Sequence, residues 1–64
     1  MILITYIVLF RKDCGFDDIE LDEDRGRNLG EIWLKDKKGS YEIDGSFYDG
    51  NQILAIIKNT KKML

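Results

Sequence analysis

A chain of 64 residues holds one domain, spanning 1–64, and one small hydrophobic core. With one cysteine and no histidine, it can build neither an internal disulfide nor an ordinary zinc centre, and it lacks the side chain that most often shuttles protons near neutral pH. Its net charge is −2, but the first half is acidic and the second half, rich in lysine, is basic.

Met1 to Phe10 is almost wholly apolar. A signal peptide would place a base before such a run and a small-residue cleavage site after it. Here Arg11 and Lys12 follow the run. Its length is about half the roughly 20 residues that a membrane-spanning helix needs. The β-branched and aromatic residues Ile2, Ile4, Thr5, Tyr6, Ile7, Val8 and Phe10 predict a strand. Both of its faces are apolar, the pattern of a strand buried on both sides. No membrane role is expected, and the lone Cys14 predicts a reducing compartment, the cytoplasm.

Residues 11–30 are polar and punctuated by Gly15, Gly26 and Gly30. Within them, Asp18-Ile19-Glu20-Leu21-Asp22 alternates and suits a second strand, with Ile19 and Leu21 facing inward. Arg25-Gly26-Arg27-Asn28 reads as a turn. Residues 31–35 and 40–44 flank Asp36-Lys37-Lys38-Gly39 and predict a hairpin with a four-residue loop. Pairing Lys35 with Ser40 sets Leu34 against Tyr41 and Ile32 against Ile43 on one face, with Trp33 on the other. The C-terminal third predicts a helix, capped by Ser46 or Asp49. At 100° per residue it gathers Ile53, Ile56, Ile57, Thr60 and Leu64 on one side and turns Lys58, Lys61 and Lys62 largely away.

The expected fold is therefore α+β: a small three- or four-stranded, mainly antiparallel sheet with one C-terminal helix packed on one face. The alternative is a small SH3-like β-barrel with a C-terminal helix. In the open-sheet arrangement the second face keeps Trp33 and one apolar row of the first strand. That patch marks an interface unless residues 11–30 fold over it.

Chemistry is poorly served. No Ser-His or Cys-His pair is possible. Gly26-Arg27-Asn28-Leu29-Gly30 is not a nucleotide-binding loop, since it has neither G-x-G-x-x-G spacing nor a P-loop lysine and hydroxyl. Seven acids fall within Asp13–Asp24, but a calcium loop begun at Asp22 would need an oxygen ligand at Gly26, a glycine at Arg27 and a carboxylate at Trp33. No metal, cofactor or enzymatic activity is expected.

The leading expectation is a small protein-binding regulator or inhibitor. Its partner-binding residues are Asp17, Asp18, Glu20, Asp22, Glu23 and Asp24, with Trp33 as an aromatic anchor. The partner would be another protein, in the sharper version a basic nucleic-acid-binding one whose groove the acids occupy in place of phosphates. A homodimer through the open sheet face is the first alternative. Weak nucleic-acid binding through the C-terminal and hairpin lysines is the second, against which the overall acidity argues.

Overall fold

The computed structural model describes residues 1–62. Strand β1 runs Ile2–Phe10 and a short 3-10 turn, Lys12–Cys14, follows it. Strand β2 (Ile19–Asp22) leads directly into helix α1 (Glu23–Lys35). Strands β3 (Ser40–Ile43) and β4 (Ser46–Asp49) form a hairpin, a second 3-10 turn covers Gly50–Gln52, and strand β5 (Ile53–Lys62) completes the described chain. One sheet has the order β2-β1-β5 and the other consists of β3 and β4. All pairings are antiparallel.

The expected class is borne out: among the described residues the chain is a small, antiparallel α+β fold with one helix on a sheet face, and no closed barrel. The helix, however, is not C-terminal. Residues 53–62, expected as a helix, are β5, and pair with β1 from Phe10↔Ile53 to Ile2↔Lys62. Isoleucine and threonine prefer the extended chain, and a central β1 needs hydrogen-bonding partners on both edges. Leu64, placed on that helix by its periodicity, lies outside the described residues. A bulge interrupts the pairing between Leu9 and Phe10 and leaves Leu54 without a cross-strand partner.

The helix forms instead at residues expected to hold a turn and the first strand of a hairpin. Asp22 caps it, its carboxylate accepting the Arg25 N–H at 3.3 Å. Glu23 and Asp24 in the first turn and Lys35 in the last complement the helix dipole. Gly26 is there for contact: a Cβ built on it would lie 2.3 Å from the Tyr6 Cβ. The missing side chain lets α1 press onto β1. One stripe of the helix, Gly26, Leu29, Gly30 and Trp33, faces the sheet.

The hairpin is displaced accordingly. Ser40–Ile43 pairs with Ser46–Asp49, not with residues 31–35. Its two-residue turn, Asp44-Gly45, has φ of 51° and 87°, the positive pair that a type I′ turn requires and that Asp-Gly supplies.

The core contains Val8, Phe10, Leu21, Trp33, Ile43 and Ile53. The rings of Phe10, Phe16 and Tyr48 enclose one end of it, with centroids 4.8–5.3 Å apart. Cys14 sits half-buried in the first 3-10 turn.

Adding one methyl at Gly26 should therefore cost roughly 1–3 kcal/mol through overpacking against Tyr6. Gly30→Ala meets its nearest neighbour, Ile56, at 3.7 Å and should be neutral or stabilising by up to about 1 kcal/mol through helix propensity. Denaturant unfolding of the two variants checks this, and equal effects would contradict the close contact.

Candidate functional site

Strand alternation divides the three-stranded sheet into a face under α1 and a face with no helix on it. Tyr6, Val8 and Phe10 of β1 lie toward α1, with Leu21 and Ile19 opposite Tyr6 and Val8 on β2. The uncovered face carries Leu3, Thr5, Ile7 and Leu9, flanked by Glu20 and Asp22 on β2 and by Ala55, Ile57, Asn59 and Lys61 on β5. Leu3 is 42% exposed and Ile57 is 46% exposed. The apolar row of the first strand expected on the open face is thus present there, joined by Ala55 and Ile57 of β5.

A polar strap crosses that face. Thr5, 8% exposed, donates its hydroxyl to Glu20 Oε2 at 2.8 Å. Asn59 donates to the Thr5 hydroxyl at 3.5 Å. Lys61 Nζ reaches Glu20 Oε2 at 2.9 Å from the opposite edge strand. Hydrogen bonding by Lys61, then by Thr5, holds the Glu20 carboxyl below the usual carboxylate range.

The six predicted acids are all exposed and follow one another along one edge of the molecule: Asp17 and Asp18 before β2, Glu20 and Asp22 on it, Glu23 and Asp24 in the first turn of α1. Three have internal work. Glu20 anchors the strap. Asp22 caps α1 and receives Arg25 Nε at 2.5 Å, and hydrogen bonds from the Arg25 side chain and backbone hold its carboxyl low. Asp24 meets Arg27 at 3.3 Å. Asp17, Asp18 and Glu23 have no ion-pair partner among the described residues.

Trp33 does not join them. It is 7% exposed, lies in the core, and its indole N–H donates to the Gly50 carbonyl at 2.8 Å. The expectation of a surface anchor is corrected: the stripe that runs through Gly26, Leu29 and Gly30 turns Trp33 inward. The expected lysine-bearing helix face is likewise absent, because Lys58, Lys61 and Lys62 lie on β5.

A groove that the sequence reading did not identify opens between α1 and β3. It measures about 330 Å³ and is lined by Arg25, Leu29 and Ile32 of the helix, among others, and by the consecutive run 41–44. Ile32, Tyr41 and Ile43, expected as neighbours along a hairpin, instead line this helix–strand groove from its two sides. Leu34, their expected fourth member, is 66% exposed. Arg25 closes one end by bridging Asp22 and Asp44.

Among the described residues no group of three or more histidine, cysteine, aspartate or glutamate side chains is placed to hold a metal, and no helix is long and apolar enough to cross a membrane. Comparison with protein-family models, curated proteins and solved structures gives no match.

Both Glu20 and Asp22 have folded-state pKa values below their ordinary ones. Their contribution to stability is complete above the ordinary carboxylate range and is lost as pH falls through and below it. Denaturant midpoints followed downward from neutral pH should therefore drop in that window. The drop should be shallower in Glu20→Gln/Asp22→Asn, and an identical pH profile in that variant would contradict the assignment.

Proposed function

We propose that the chain is a small non-enzymatic protein-binding module, a regulator or inhibitor. It docks through the uncovered sheet face and the acidic edge beside it. The observation that carries this reading is their adjacency: exposed Leu3 and Ile57 lie on the same face as Glu20 and Asp22, and the carboxylates of Asp17, Asp18 and Glu23 continue the acidic edge at either end of β2. An apolar centre supplies affinity, and a one-signed rim steers encounter and rejects acidic competitors. The complementary partner has an apolar patch rimmed by lysine or arginine. Such a surface suits a basic nucleic-acid-binding protein, with free carboxylates standing where phosphates would lie. That finer version rests on Asp17, Asp18 and Glu23, since Glu20, Asp22 and Asp24 already meet cations of this chain.

The exposure of Leu3 and Ile57 also favours a second reading, a homodimer joined through the same face. Sedimentation over a wide concentration range separates the two. A concentration-dependent dimer that Ile57→Lys abolishes supports self-association, and a concentration-independent monomer removes it.

The variant Asp17→Asn/Asp18→Asn/Glu23→Gln leaves the helix cap and the strap untouched, so it should fold as the native chain does. In quantitative pull-downs from cell lysate, a basic protein retained by the native chain at low salt should associate with the variant about tenfold more slowly, and with weaker salt dependence. Equal retention of that protein by both chains at every salt concentration would overturn the acidic-edge reading.

A further inference from the structure

The groove between α1 and β3 is distinct from the uncovered sheet face, and its two walls differ in kind. The helix contributes Arg25, Asn28, Leu29 and Ile32, the i, i+3, i+4, i+7 spacing of a single stripe about two turns long. The strand contributes three consecutive residues, Tyr41, Glu42 and Ile43, and the turn beyond it contributes Asp44. A strand that shows a face to a groove lines it with every second residue. Consecutive residues mean that β3 presents its edge.

Among the described residues that edge carries no third strand, since β3 pairs there with β4 alone. In a hairpin closed by a two-residue turn, the pair flanking the turn is hydrogen-bonded, here Ile43↔Ser46, and bonded pairs alternate with unbonded ones. Tyr41↔Tyr48 is then bonded as well, and the N–H and C=O of Glu42 point outward. Tyr41 and Ile43 turn their side chains toward the core, while Glu42 is exposed on the other face of the hairpin. The groove is therefore a slot with backbone hydrogen-bonding groups on one wall and Leu29 and Ile32 on the other, Ile32 being 54% exposed at its lip.

We propose that this slot takes an extended segment of a partner protein, added as a strand along β3, in which apolar residues alternate with basic ones. The alternation follows from the geometry. On an added strand, side chains on the Ile43 face enter between Leu29 and Ile32 and must be apolar. Those on the other face stand beside Glu42, where a base is the complementary cross-strand neighbour. Arg25, shared between Asp22 and Asp44, closes the end nearer the hairpin turn, and Glu42 has no ion-pair partner among the described residues.

The test is selection from a random heptapeptide display library against the native chain, followed by binding of the selected peptides to two variants at exposed positions. Selected peptides should alternate apolar with lysine or arginine. Ile32→Glu should weaken them at least about tenfold, and Glu42→Lys should replace the basic preference by an acidic one. Amide spectra of native dispersion establish that both variants are folded. Asp17→Asn/Asp18→Asn/Glu23→Gln should bind the peptides as the native chain does, so this result is independent of the acidic-edge reading. No enrichment, or peptides that bind both groove variants unchanged, would overturn the proposal.

Discussion

The indole of Trp33 is the largest side chain in the core, and its one polar atom must find a partner there. It finds the carbonyl of Gly50, at the start of the turn that joins the hairpin to β5. This bond matters because no strand ladder among the described residues joins the two sheets. Side chains join them instead. Trp33 ties α1 to the end of the hairpin, Phe10 and Phe16 pack on Tyr48, and Arg25 fastens the hairpin turn through Asp44. The groove between α1 and β3 exists because these contacts hold the hairpin beside the helix without merging it into the larger sheet.

The same economy governs the charges. A chain of this size has few apolar residues to spare, so its polar side chains also build structure. Asp22 ends β2, caps α1 and orients Arg25. Glu20 draws Lys61 across the strand between them, which seals Thr5 under a polar bridge and divides the uncovered face between Leu3 at one end and Ile7 and Ile57 at the other. The acidic edge thus has a half that meets cations of this chain and a half that does not, and only the second is available for recognition without breaking an ion pair.

Much of the sheet is legible in the sequence. The composition of Ile2–Phe10 requires a strand, and its lack of alternation already implies a second apolar row. The alternation around Ile19 and Leu21 identifies β2. The helix is harder to see because Gly26 and Gly30 look like turn residues until Tyr6 is known to lie against one of them. Once residues 31–35 are assigned to a strand, the Asp44-Gly45 hairpin signal has no room. At the C-terminal end, Ile53, Ile56, Ile57 and Thr60 fit a helical stripe, and their β-branched preference for the extended chain decides for a strand once β1 needs a second partner. The acids were recognisable as surface. Their division into capping, bridging and free carboxylates depends on which cations the tertiary register brings near. Trp33 shows the converse: its prominence in the sequence comes from core packing.

The register of β1 with β5 also bears on how the chain reaches this structure. Ile2 finds Lys62 and Leu9 finds Ala55, so the central strand pairs on one side with a segment almost the whole chain away. Closing so long a loop costs entropy before any ladder bond forms, and folding slows as contacts become less local. The Asp44-Gly45 hairpin and the capped helix need only near neighbours and can form on the microsecond scale. The larger sheet is then the late event, and until β5 arrives the most apolar strand of the molecule has one edge open to any other chain that meets it.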